Sequence, residues 1–513
     1  MIRALPAVVL AAVLASCAAQ PPPAAPTSVL RIAQSAEPGS LDPLLLTGYP
    51  AEEVGSLIFS FLVRVDERGM LVPDLARRVP SLENGDIARD GRTIVYHLRR
   101  GVRWHDGQPF SAADVIATYR AVMDARNPVP TRLGFDRIAS IDAPDPFTLR
   151  IRLRSPFAPF ITYFFETENY PILPAHVLAH EPILVGASLD AAPIGTGPYR
   201  LERWKRGESL VLRANSDYFA GAPHIDRLDL RFIPSMQTIV QQLRTGEIDA
   251  TFAADPTYID RLRENTALTV ITAPIFGFES LTFQTADPAL REVGVRRALA
   301  GIFNFPRATE RATHGALPTR DAGRGLFTWT YRSQSPARPV AVALQKTLRL
   351  AIDASRTSDP SIAVALQADA RGAGIDLAIV PYAPQLFYAP ANEHGPLNAG
   401  RFQLALHQLL TGADPETAWL LACDQRPPAG FNIARYCNAE VDRALREAVG
   451  TFDRRQRQGH YDRIQAALAR DVPFVAAWQI REVEAVPRRL RGFRSNPETP
   501  FASVAAWRFD KAR

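Results

Sequence analysis

Few residues in this 513-residue chain are spaced for covalent chemistry. No G-x-x-x-x-G-K-[ST] run occurs, so no phosphate-cradling loop is expected. Gly195-Thr196-Gly197-Pro198 has two glycines but lacks the third of a dinucleotide fingerprint. Pro198 also removes an amide that a phosphate would need. Neither H-E-x-x-H nor G-x-S-x-G is present. Of the nine histidines, only His176 and His180 stand four apart. One helix face could carry both, but a metal would want a third ligand, and Glu181 falls elsewhere on the helix. Neither a metal nor a cofactor is expected, and an enzymatic reading loses weight.

The three cysteines divide by context. Met1-Ile2-Arg3 carries one positive charge, and Ala4 to Ala15 is apolar except for Pro6. A run of about 12 residues suits a signal-peptide core and falls short of the roughly 20 that a membrane helix needs. Leu14-Ala15-Ser16-Cys17 follows, with small residues before a thiol, resembling a bacterial lipobox. Cys17 is therefore the expected lipidation site, residues 1–16 the signal peptide, and the Pro/Ala-rich stretch to residue 27 a tether. Cys423 and Cys437 remain as an even pair in an oxidising compartment. A bridge would close a loop of about 15 residues, worth roughly 3 kcal/mol in the chain-entropy model; two free buried thiols are the other reading.

Composition narrows the architecture. Apolar residues make up 47 % and charged residues 22 %, ordinary for a globular chain, and 43 prolines argue for many loops and strand ends over one long bundle. Lys and Arg number 59 against 53 acids, and only Lys205, Lys346 and Lys511 are lysines. The cations are scattered, so no nucleic-acid footprint is expected. Arg454, Arg455 and Arg457, flanked by Asp453 and Asp462, read as a solvated helix face.

Patterning gives a mixed α/β chain. Strands are expected at 29–33, 92–98, 148–153, 208–213, 227–233, 279–284, 348–353, 375–380 and 401–410. Helices are expected at 235–245, stopped by Gly246, at 291–303, at 361–371, stopped by Gly372, and at 439–449 and 453–470. Ser111-Ala112-Ala113-Asp114 is a capping box for a helix running to about residue 124. The strand–helix–strand order over 348–380 is a βαβ unit.

Several segments together resemble one family, the periplasmic peptide- and nickel-binding proteins of ABC importers, known as extracellular solute-binding protein family 5. The strongest runs from Tyr96 through Trp104-His105-Asp106-Gly107 to Val115. Others are Pro193-Ile194-Gly195-Thr196-Gly197-Pro198-Tyr199-Arg200, Asn215-Ser216-Asp217-Tyr218-Phe219 and Leu243-Arg244-Thr245-Gly246-Glu247-Ile248-Asp249. The Asp106-Gly107 and Gly195–Tyr199 segments also read as scaffold corners, in which Asp caps and Gly supplies positive φ. Two segments depart from the family pattern: Gly301–Pro306 and residues 315–340.

The resemblance implies an α/β, two-lobed periplasmic binding protein type II-like fold (cluster C) with an extra subdomain and a ligand cleft between the lobes. Lobe I would comprise 28–47, 180–268 and 482–513, the subdomain 48–179, and lobe II 269–481. It implies a monomer that is no enzyme, captures a peptide or similar small solute, and hands it to ABC permease subunits from a lipid anchor in the membrane. Nickel chelates, haem, opines or sugar derivatives are the alternative cargo. The ligand-binding residues so implied are Asp414, with Thr411, Gly412 and Ala413 before it, Trp419 one turn on, and Tyr49, Phe276 and Gly277. In peptide binders of this kind an Asp at the matching place pairs with the α-ammonium. Asp414 also suits the cap of a helix starting at Pro415, and both roles can hold.

Overall fold

The computed structural model describes residues 28–45, 49–167, 170–313, 319, 321–333, 347–356 and 358–510. Cys17, the tether and residues 315–318, 320 and 334–340 of the unusual 315–340 stretch lie outside the described residues.

One ten-stranded sheet organises the chain. Its strands are β1 (Val29–Gln34), β2 (Tyr199–Lys205), β3 (Ser209–Ala214), β4 (Arg227–Phe232), β5 (Ala250–Ala254), β6 (Leu268–Phe283), β7 (Thr347–Asp353), β8 (Asp376–Tyr382), β9 (Leu404–Leu410) and β10 (Phe474–Pro487), in spatial order 8-7-9-6-10-5-1-4-3-2. The β1 strand pairs in parallel with β4 and β5, and β7 in parallel with β8 and β9. Each half therefore holds a parallel core that needs helices on its faces, and β3 adds antiparallel pairs with β4 and β2 at one edge. Within the sheet, β6 and β10 join the two halves, pairing antiparallel over nearly their whole length. Their ladder breaks between Pro274 and Phe278, opposite Arg481 and Gln479. On one side of the break β10 pairs with β5, and on the other β6 pairs with β9. The two strands thus pass from one half into the other at Ile275–Gly277 and Ile480.

The helices form where the sequence supplies caps and apolar faces. Six bear on the site: α1 (Tyr49–Ile58), α2 (Ala112–Met123), α3 (Met236–Thr245), α4 (Ser358–Gly372), α5 (Ala439–Gly450) and α6 (Arg454–Asp471). Ser111 and Asp114 form the expected capping box at the start of α2. Gly246 ends α3 in the left-handed conformation at φ 75°. The expected strand at 279–284 is only the end of β6, and β10 was not foreseen at all. Gly372, expected as the stop, is the last residue of α4, and Gly374 two residues on takes φ +77°.

A large apolar core gathers β1, α1 and the 93–178 region, including Trp104, Tyr96 and Phe135. Two further cores lie on the faces of the β7–β9 half, and a fourth under α3. The 93–178 region carries its own three-stranded sheet, Thr93–His97, Ile138–Asp145 and Thr148–Leu153. Its signature corner joins that region to the main sheet. The His105 ring lies against Gly197 O (3.1 Å) through Nε2, and Gly195 N donates to Nδ1 (3.3 Å). A side chain at Gly195 would meet Ile58 O at 1.9 Å, so the backbone approach there requires glycine. Burial lowers the His105 pKa to about 4, keeping the ring neutral in this scaffold role.

Candidate ligand cleft

The break in the β6–β10 ladder brings several expected site residues together. Gly277 opposes Leu410 across β6 and β9. Thr411 N donates to Phe276 O (3.1 Å), and Thr411 Oγ1 donates to Gly325 O. Thr328 Oγ1 donates to Ala413 O (3.2 Å). Gly277 and Gly325 meet backbone to backbone: a Cβ on Gly325 would lie 2.0 Å from Gly277 O. Phe276, Gly277, Thr411, Gly412 and Ala413 therefore form one patch, pinned by residues 323–328. Leu410 beside it is 57 % exposed, an unusual state for a large apolar side chain within a sheet.

One cavity opens at this patch and a second lies beyond it along residues 416–450. The first, of about 270 Å³, is lined by Met70, Phe276, Arg324, Trp329, Gln479 and Ser495, so five separate parts of the chain meet there. The other, about 680 Å³, runs between the 133–157 region and residues 416–450, with Trp419 and Cys423 in its wall. Tyr163 Oη donates to Glu416 Oε2 (3.3 Å), and Ala158 N donates to Val449 O (2.7 Å), so the two sides touch. Burial pushes the Glu416 carboxyl up to about 7. Tyr49 opens α1.

Asp414 is already engaged. Arg457 Nη1 donates to its Oδ2 (2.6 Å) and Nη2 to its Oδ1 (2.5 Å), and both side chains are nearly buried. The expectation of a solvated face for Arg457 is corrected: it is 5 % exposed and also donates through Nε to Ala448 O (3.1 Å). Arg454 lies over the Trp329 ring at 4.3 Å. The expected helix from Pro415 is likewise absent. A four-residue helix begins at Ala418 instead, and Asp414 Oδ1 accepts from Glu416 N (3.0 Å) as a local turn. Proline fixes φ without obliging the next residues to coil, and the Glu416 side chain accepts from Ala418 N (2.7 Å) as an alternative cap. Trp419 Nε1 donates to Glu416 O (3.3 Å) and its ring tilts against Phe431. Cys423 and Cys437 are bonded, with Cα atoms 4.6 Å apart.

Sequence reasoning missed the charged groups near the junction. Arg356, in the turn after β7, lies 3.2 Å from Glu279 Oε2 and 3.6 Å from Asp359 Oδ1, and it donates to Gln408 Oε1 (2.5 Å). Glu53 on α1 accepts from Gln34 Nε2 (2.8 Å), and Ser495 Oγ donates to Glu484 on β10. The signal available in the sequence was Glu482-Val483-Glu484, where acids alternate with an apolar residue in a strand between apolar stretches.

Two α/β lobes joined by a shared pair of strands, with cavities and buried charge at the junction, make up the architecture of a cleft-type binding protein. The model of the bacterial extracellular solute-binding proteins, family 5 Middle, matches residues 70–426, and the chain belongs to that family. The oligopeptide-binding protein AppA of Bacillus subtilis is 22 % identical over 505 residues, covering 92 % of this chain and 90 % of AppA. The substrate-binding protein CtaP of Listeria monocytogenes superposes with a TM-score of 0.83 at 21 % identity, covering 94 % of this chain and all of CtaP. The protein DppA of Helicobacter pylori, solved with the peptide STSA, superposes with a TM-score of 0.74 at 23 % identity, covering 94 % of this chain and 98 % of DppA. The fold is thus the two-lobed one.

Proposed function

We propose that the protein captures a peptide in the cleft between its lobes and delivers it to the permease of an ABC importer. The observation that carries this reading is the junction itself: two strands crossing between lobes, with Phe276, Gly277 and Thr411–Ala413 at the crossing and a cavity lined by Phe276. A pair of crossing strands suits hinge closure around a solute. Backbone at a broken ladder suits an extended ligand, whose main chain can pair whatever its side chains are. Relatives named as oligopeptide- and peptide-binding proteins of ABC transporters support peptide cargo. The lobes are taken as 28–47, 180–268 and 482–513 with the subdomain 48–179, against 269–481.

Delivery takes place at the cell envelope, with the chain held by a lipid on Cys17. Replacement Cys17→Ser should abolish labelling by radioactive palmitate. The cargo is tested by denaturing the purified protein and identifying what it releases by mass spectrometry. Peptides of two to several residues are the expected result; a metal chelate, haem or sugar derivative would replace this reading.

A further inference from the structure

The junction is acidic in a chain that is basic overall. The formal net charge is +6, yet carboxylates gather on both sides of the crossing strands. On one side Glu53 is 5 % exposed and Glu484 1 % exposed, with Glu482 nearby. One oxygen of Glu53 is held by Gln34, and one of Glu484 by Ser495; among the described residues, Oε1 of each has no hydrogen-bond partner. The charges acting on Glu53 are those of Glu482, Glu52 and Glu484, all of its own sign. Arg481 beside them donates through Nη1 to Thr272 O (3.2 Å), and its Nε has no hydrogen-bond partner among the described residues. On the other side Glu279 and Asp359 are each fully buried. Among the described residues, neither oxygen of Glu279 accepts a hydrogen bond, nor does Asp359 Oδ2. Arg356 is the cation these two share, and Asp353 adds a third acid that acts on both of them.

Uncompensated buried carboxylates are costly, and such groups hold their protons or meet a cation. Burial and like charge push Glu53 and Glu279 well above the usual carboxylate range, and Glu484 up to about 7. Ser495, which bonds to Glu484, also lines the 270 Å³ cavity at the crossing, so this group lies directly behind a wall of the cleft. Gln408, which bonds to Arg356, is two residues from the exposed Leu410 on the same strand, so the second group borders the Thr411 patch.

We propose that the cleft selects solutes carrying positive charge, with Glu53 and Glu484 on one side of the crossing and Glu279 and Asp359 on the other setting that preference. The inference rests on reading the cleft as the peptide site. The chemical class is a peptide bearing ammonium or guanidinium side chains. Such a ligand supplies the positive charge that Glu53 and Glu484 lack and adds to that of Arg356 beside Glu279 and Asp359, and closure of the lobes removes the ligand from water, which strengthens the attraction.

The test presents the mature protein, freed of its co-purified ligand, with peptide mixtures matched except at one position, which holds Lys, norleucine or Glu. Retained peptides are quantified by mass spectrometry, and 1,5-diaminopentane is titrated separately as a cation without a peptide backbone. Lys peptides should be retained over norleucine peptides by at least about tenfold, and Glu peptides least, with the preference cut several-fold in Glu53→Gln and Glu279→Gln. Gln keeps the size of Glu, and should either variant fail to fold, the other variant and the wild-type series still decide. Equal retention of Lys and norleucine peptides overturns the proposal and leaves peptide capture standing. So does a preference unchanged in both variants. Binding of 1,5-diaminopentane with no peptide retained keeps the charge selection and removes the peptide reading. Binding of neither removes both.

Discussion

Asp414 and Arg457, 43 residues apart, form a two-bond ion pair with side chains only 11 % and 6 % exposed. The guanidinium also reaches Ala448 O, so it ties the segment after β9 to both helices α5 and α6. A pair so enclosed acts first on the fold: each charge is tolerated because the other is present.

Asp414→Asn should therefore destabilise the protein by about 3–5 kcal/mol, since it strands a buried guanidinium. Urea denaturation measures this. The double replacement Asp414→Leu with Arg457→Met should recover most of the loss, because removing both charges removes the desolvation cost as well. An Asp414→Asn protein that unfolds at the wild-type urea concentration would show that the pair contributes nothing to stability.

How far the chain could be read in advance depended on how local the cause was. The capping box of α2 and the glycine end of α3 were legible because Ser111, Asp114 and Gly246 act within one turn of themselves. The strand β10 was not, because Arg481, Glu482 and Glu484 interrupt its apolar run. They do so where the strand leaves one core and enters another. Within the candidate cleft, Phe276, Gly277 and Thr411–Ala413 were placed through family resemblance, and the structure brings them into one patch. Arg457 was misread as exposed because its partner lies on a distant segment, and no spacing in α6 announces that. Arg356 and Glu279 were passed over for the same reason: their meeting depends on the order of β7, β9 and β6 in the sheet, which no short motif encodes.

The contact between Gly277 and Gly325 sets a steric limit on the cleft. Gly325→Ala places a methyl 2.0 Å from Gly277 O, against backbone that cannot swing aside as a side chain can. The expected cost is about 1–3 kcal/mol of stability, as for other overpacked sites. The displacement should also reach Thr411, whose hydroxyl is held by Gly325 O. Peptide affinity measured by calorimetry should therefore fall together with the urea midpoint. A variant with wild-type values of both would mean that residues 323–328 are free to shift away from β6.

The Cys423–Cys437 bridge closes a 14-residue separation beside the larger cavity. Replacing both by serine should lower stability by about 3 kcal/mol, the chain-entropy value for a loop of this size. Thermal melting of the variant, and of the wild type with and without a reductant, checks this. Thiol titration of the denatured, non-reduced mature domain lacking Cys17 should find no free thiol.

The acid on β10 makes stability depend on pH in an unusual direction. Burial raises Glu484 from the ordinary 4.5 to about 7, with Glu482 adding to the rise and the Ser495 hydrogen bond opposing it. Between those two values the folded protein keeps a proton that the unfolded chain has released. The stability this group contributes is therefore fully present below about pH 4.5 and is lost as pH rises through about 7. Glu484→Gln cannot titrate and should show no such loss. The comparison to make is the free energy of unfolding of variant and wild type, without ligand, from about pH 4.5 to about pH 8. His105 and His407, both lowered to about 4 by burial, act in the opposite sense but are common to both proteins and cancel in the difference. At the acid end the two proteins should agree to within about 1 kcal/mol. By about pH 8 the variant should be the more stable by a few kcal/mol, at about 1.36 kcal/mol for each pH unit that separates the folded and unfolded values. A difference that stays constant across the range would mean that Glu484 titrates alike in both states, with its charge already met.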